Sequence, residues 1–210
     1  MSVEGSSRGE IFVVDDDRAV RDTLSSILRR DRYGVACFAE GQSFLAAARA
    51  REPACILLDV YLPGRSGLDI LKDLNADEYA VPILMISGKG DIPMAVEAIK
   101  HGALDFIEKP FRASTVSTAV QAAIAASSRR ASNNVVNGLP TGFAGCKPLT
   151  KRESEVLAQL VTGSSSKEAA AHLGISPRTI DIHRANIMGK LEAKNIADLV
   201  RIVMSERRSS

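Results

Sequence analysis

The chain has 210 residues, 45% hydrophobic and 25% charged, ordinary globular values that suit one large domain or two smaller ones. No apolar run approaches the roughly 18 residues of a membrane helix, and the polar start MSVEGSSRGE lacks the apolar stretch of a secretory signal, so membrane and secreted classes are set aside and a cytoplasmic location is expected. The net charge of +2 divides unevenly. Residues 1–125 hold 14 Lys and Arg against 18 Asp and Glu, a net of −4; residues 126–210 hold 13 against 7, a net of +6. A basic half joined to an acidic one points to nucleic acid as a partner of the basic half.

In the first half, short apolar runs alternate with amphipathic stretches. The runs are IFVV (11–14), GVACF (34–38), CILL (55–58), VPILMI (81–86) and ALDFI (103–107). Between them Val20, Leu24, Ile27 and Leu28 recur at helical spacing. So do Leu68, Leu71 and Leu74, then Val96 and Ile99, then Val116, Val120 and Ile124. This repeated alternation predicts an α/β fold, a five-stranded parallel sheet with helices on both faces. Uninterrupted apolar strands agree, since strands covered on both sides need not alternate. Cys37 and Cys55 lie in two of the runs and read as small buried side chains. With Cys146 they are odd in number and lack metal-ligand spacing, so no redox or metal role is expected of them.

Residues 127–147, SSRRASNNVVNGLPTGFAGCK, are rich in Ser, Asn and Gly without sustained periodicity, and read as a linker between domains at 9–126 and 148–208. From Leu149 onward the pattern is helical only, a small all-α unit of four helices. Thr150 with Glu153 three residues later reads as a capping box. Val156, Leu157, Leu160 and Val161 make the apolar face, and Gly163 ends that helix. A second helix covers 166–173 and ends at Gly174. Ser176 caps a third, with Pro177 at its first position. A fourth covers about 196–204.

In an open parallel sheet, function gathers at the C-terminal ends of the strands. There the sequence places Asp15, Asp16 and Asp17 after the first strand, Asp59 after the third, Ser87 after the fourth and Lys109 after the fifth. Clustered carboxylates repel one another and need a cation; hard oxygen ligands suit Mg²⁺. A carboxylate can also attack a phosphoryl group to give an aspartyl-phosphate. A Lys and a hydroxyl would complete the shell around the phosphoryl oxygens. Asp17 reads as the cap of the helix that follows.

The segments IFVVDDDRAVR, CILLDVYLPGRSGLDIL and ILMISGKGDIPMAVEAIKHGALDFIEKPF, within about 9–126, resemble a response-regulator receiver domain, and GKGDIPMAVEAIKHGALDFIEKPF looks like its FixJ branch. The resemblance implies a flavodoxin-like sheet of strand order 2-1-3-4-5. Asp59 would be the phosphoacceptor of a sensor histidine kinase. Asp15 and Asp16 would hold Mg²⁺ with Asp59 and the backbone carbonyl of Tyr61. Ser87 would hydrogen-bond the phosphoryl group and Lys109 would pair with it. The Lys109–Pro110 bond would be cis. Ser87 and Phe106 would form the switch, Phe106 as a rotating aromatic.

In the basic half, SKEAAAHLG-ISP-RTIDIHRANIMGKL holds two helices joined by a tight turn, the helix-turn-helix pattern, whose second helix enters the major groove. At 100° per residue, Ile180, Ile187 and Leu191 form the core stripe. Arg178, Ile182, Ala185 and Gly189 fall opposite, Asp181 and Asn186 flank them, and His183 and Arg184 lie at the edges of the core stripe, His183 as a packing residue. Ile182 suits a thymine methyl beside the small Ala185. Arg178 suits a phosphate or a guanine edge; Asp181 would accept from a cytosine amine or repel phosphate. Lys167 suits a phosphate contact. Thr179 and Arg184 complete the candidate DNA contacts.

The stretches LTKRESEVL, KEAAAHLGISPRTIDIHRANIMGKL and AKNIADLV resemble a LuxR-type DNA-binding domain. One departure is Ser166–Lys167, where the family usually carries an Asn-Lys pair. The order receiver, linker, LuxR-type domain is that of the FixJ and NarL regulators. It implies a transcriptional regulator rather than an enzyme, with slow self-dephosphorylation at most. Phosphorylation would make it a homodimer on promoter half-sites. Two other readings share the acidic pocket: a metal-dependent phosphatase, disfavoured by the lack of a DxDxT run, and a receiver controlled by a protein partner without phosphorylation.

Overall fold

In the computed structural model, which describes residues 8–76, 79–88, 92–132 and 148–209, every apolar run of the first half contributes a strand. The strands β1 (Glu10–Val14), β2 (Gly34–Phe38), β3 (Cys55–Asp59), β4 (Ile83–Ser87) and β5 (Asp105–Glu108) form one sheet of order 2-1-3-4-5, with every pairing parallel. β3 and β4 are buried along their whole length. The edge strands β2 and β5 are only partly covered. This corrects the reading of Cys37: it lies on edge strand β2 and is exposed, its Sγ 3.1 Å from the Ser25 hydroxyl. Cys55, in central β3, is buried, and burial pushes its thiol up to about 12. Cys146 lies outside the described residues.

The intervening helices are α1 (Arg18–Arg30), α2 (Gly41–Ala50), α3 (Gly67–Asp73), α4 (Ile92–Lys100) and α5 (Ala113–Ser132). Asp17 caps α1 as expected: its Oδ1 accepts from the Ala19 N–H at 2.8 Å, a bond worth about 1 kcal/mol. Leu24, Ile27 and Leu28 turn inward from α1. On the later helices the buried stripe matches the expected one in part: Leu71, Ile99, Val116 and Val120 are buried as expected. Ile70, Ala98 and Ala123 are buried, whereas Leu68, Leu74, Val96 and Ile124 are partly exposed. A pattern scored on large aliphatics overlooks alanine, which lets a helix backbone lie close to a sheet. The helix α5 continues to Ser132, so residues 127–132 of the expected linker are helical. The remainder, 133–147, lies outside the described residues.

The chain divides into two units, Met1–Ser127 and Ser128–Ser210. In the second, α6 (Lys151–Val161), α7 (Ser166–Leu173), α8 (Pro177–Lys190) and α9 (Ile196–Ser209) follow one another. The Thr150/Glu153 capping box is present. Gly174 ends α7 in the left-handed region (φ 67°), a conformation glycine adopts without strain. Ser176 caps α8, with Pro177 in its first turn. Val156, Leu160, Ile180, Ile187, Leu199 and Val203 are among the buried residues of this core. Two polar ties support it. The Arg152 guanidinium donates to the Leu173 carbonyl at the end of α7 (3.0 Å), and the Lys190 ammonium, at the end of α8, reaches buried Glu153 at 2.6 Å.

Candidate functional site

The parallel register brings the four predicted strand ends to one edge. Asp59 ends β3 beside Ile86, the residue before Ser87 on β4; Ser87 pairs with Glu108, the residue before Lys109. The Lys109 backbone N–H donates to the Ser87 carbonyl at 2.7 Å, and the Lys109–Pro110 bond is cis. The Lys109 ammonium crosses the pocket to Asp15 at 2.8 Å and to Asp59 at 3.1 Å. Asp15 is fully buried, Asp59 is 4% exposed, Ser87 is buried and Asp16 is exposed at the mouth. Tyr61 follows two residues after Asp59 and is 56% exposed. Phe106 is half-buried on β5, and its N–H donates to the Asp105 carboxylate at 2.9 Å.

Two supports of this pocket lay outside the sequence reading. The Arg21 guanidinium donates through Nη1 to the carbonyls of Asp15 (2.7 Å) and Asp16 (2.8 Å), pinning the acidic loop to α1. An arginine near a helix start carries no pattern that separates it from a surface charge. Gly67 opens α3 directly against β3: a Cβ there would collide with the Asp59 carbonyl oxygen. The Gly67 N–H also donates to the Val60 carbonyl at 2.9 Å.

The charges oppose one another. Burial, then the nearby Asp15, push the Asp59 carboxyl above its usual range, while Lys109 and the Tyr61 N–H act to lower it. Burial acts to lower Lys109, but its hydrogen bond to Asp15 and the Asp59 charge outweigh that and hold the ammonium up. One carboxylate oxygen from each of Asp15, Asp16 and Asp59 lies within 4.8 Å of the others. Such a cluster of hard oxygen donors, two of its members buried, fits a small divalent cation such as Mg²⁺.

Ile180 and Ile187 on α8, and Leu191 at its C-cap, are buried, as the helical projection requires. Arg178, Asp181, Ala185 and Gly189 are exposed, and Ile182 and Arg184 are partly so. Lys167 is exposed in the first turn of α7. Thr179 is the correction. It is 0% exposed, and its hydroxyl lies 2.8 Å from the Ser176 hydroxyl in the helix cap. His183 is also buried. Because α8 packs against both α6 and α7, its buried face is wider than one stripe.

A parallel α/β sheet with an acidic pocket, followed by a basic helix-turn-helix unit, defines a DNA-binding regulator built on a receiver domain. Residues 11–121 match the response regulator receiver domain, and residues 147–203 match the bacterial regulatory proteins of the luxR family. The transcriptional regulatory protein FixJ of Bradyrhizobium diazoefficiens is 39% identical over 95% of this chain and 96% of its own. The response regulator protein TodT of Pseudomonas putida is 41% identical over 91% of this chain and 84% of its own. The crystal structure of full-length FixJ from B. japonicum, 38% identical, covers 97% of this chain and 98% of its own with a TM-score of 0.59. The chain belongs to the two-component response regulators that join a receiver to a LuxR-type DNA-binding domain, a family of transcriptional regulators rather than classical enzymes. No helix among the described residues is long and apolar enough to cross a membrane.

Proposed function

We propose that Asp59 accepts a phosphoryl group from a sensor histidine kinase and that this modification controls DNA binding by α8. The observation that carries the reading is Lys109 bridging Asp15 and Asp59 at 2.8 and 3.1 Å in a buried acidic pocket. An Asp59 carboxylate oxygen attacks the phosphorus, and the N–P bond to the donor histidine breaks. Asp15, Asp16 and Asp59, with the Tyr61 carbonyl, would hold Mg²⁺, which neutralises phosphoryl charge when bound. Lys109 exchanges its bond to Asp59 for one to a phosphoryl oxygen, and Ser87 donates its hydroxyl to another. Movement of Ser87 and Phe106 carries the change to the surface around α4, β5 and α5. The receiver (9–126) then forms a homodimer or releases the effector domain (148–208), a population shift between two states. Lys167, Arg178, Asp181, Ile182, Arg184 and Ala185 make the DNA contacts. The protein acts in the cytoplasm and slowly loses its phosphoryl group by its own hydrolysis.

The test is the intact mass after incubation with acetyl phosphate and Mg²⁺. Wild type gains one phosphoryl group, and Asp59→Asn gains none. Equal gain by both variants overturns the assignment.

A further inference from the structure

Helices α7 and α8 are joined by a hydrogen bond that their apolar packing does not require. Ser166, the first residue of α7, donates its hydroxyl to Asp181 Oδ1 at 2.7 Å. Asp181 is exposed on the outward side of α8, one turn from Arg178 and Ala185. A carboxylate on a surface that meets a polyanion weakens binding to phosphate everywhere. It gains only where a base edge offers a donor. With Oδ1 engaged by Ser166, Oδ2 remains as an acceptor on a side chain whose rotamer is already fixed. Fixing it beforehand removes an ordering cost from the bound state. In the major groove two bases offer an amine to a carboxylate: cytosine N4 stands as its base's sole polar group there, whereas adenine N6 sits beside the acceptor N7, which repels a carboxylate as do guanine O6 and N7 and thymine O4.

We propose that Ser166 and Asp181 form a preset acceptor that selects cytosine at one position of each half-site, with Asp181 touching the base and Ser166 acting as its positioning residue. The proposal rests on the reading that α8 enters the major groove.

The test is selection from a randomised duplex DNA library by the full-length protein, comparing wild type with Asp181→Ala, Ser166→Ala, Ser166→Thr and Arg178→Ala, each first checked for an unchanged thermal melt. Wild type should favour cytosine at one position by about tenfold. Asp181→Ala should flatten that position alone and bind random DNA at least as tightly. Ser166→Ala should weaken the preference at the same position alone, and Ser166→Thr, which keeps a hydroxyl, should restore it. Unchanged preferences in Asp181→Ala overturn the proposal. So does a Ser166→Ala profile that is unchanged or altered at every position. If wild type enriches no sequence and Arg178→Ala binds as wild type does, it is the groove reading that fails.

Discussion

Burial and Asp15 raise the Asp59 carboxyl, so the folded protein takes up a proton there more readily than the unfolded chain. Between the ordinary carboxylate value and the raised folded value, the folded state binds more protons. Stability from this group therefore falls as pH rises through that window and stays lower above it. Asp59→Asn removes the cost. Without divalent cation near neutral pH, its Tm should exceed that of wild type. The difference should vanish below the ordinary carboxylate pKa, where both side chains are neutral; thermal melts at the two pH values check this. Arg21 is tested separately. Arg21→Ala frees the carbonyls of Asp15 and Asp16 and should weaken Mg²⁺ binding about tenfold, as loss of support behind metal ligands does. A cation titration that leaves the affinity unchanged contradicts that role. At this scale Asp15, Asp59, Ser87 and Lys109 were legible because an apolar strand ends at or just before each. Arg21 was not, because a bond from a side chain to a backbone carbonyl leaves no mark in residue type or spacing.

Each unit's candidate site depends on how one helix is seated, α3 in the first and α8 in the second. Gly67 lets α3 begin against β3 where any side chain would strike the Asp59 carbonyl. Gly67→Ala should cost about 1–3 kcal/mol and slow phosphate uptake at Asp59, whereas the exposed Gly189, with open space around it, should accept alanine freely. Comparing melts of the two variants decides between a steric requirement and a general preference for glycine. In the second unit, Glu153 joins the cap of α6 to the end of α8, accepting from the Thr150 N–H at 2.7 Å and from Lys190 at 2.6 Å. Glu153→Ala should destabilise this unit by about 1–3 kcal/mol, read as a lower denaturant midpoint. The Thr150 to Glu153 spacing showed the capping box. It did not show Lys190, because that partner is distant in sequence. Thr179 was misplaced for a related reason: its exposure is decided by the fit of α8 to its neighbours, which the helical projection of one element does not contain.

Across the whole chain, acidic chemistry is gathered in residues 1–125 and positive charge in residues 126–210. Parallel pairing and the helix-turn-helix were legible because the alternation of elements repeats and the two helices flank a glycine turn; the strand order followed only from the resemblance to receiver domains. The exit of α5 toward Ser132 was not, since a Ser- and Arg-rich helical end resembles a linker in composition. The proposed phosphoacceptor and the proposed DNA contacts lie in different parts of the sequence. The direct measurement is DNA affinity and oligomeric state of the full-length protein with and without acetyl phosphate and Mg²⁺, for wild type and Asp59→Ala. Phosphorylation should tighten binding and favour a dimer in wild type, and change neither in Asp59→Ala. Affinity and oligomeric state that stay the same in phosphorylated wild type would contradict this expectation.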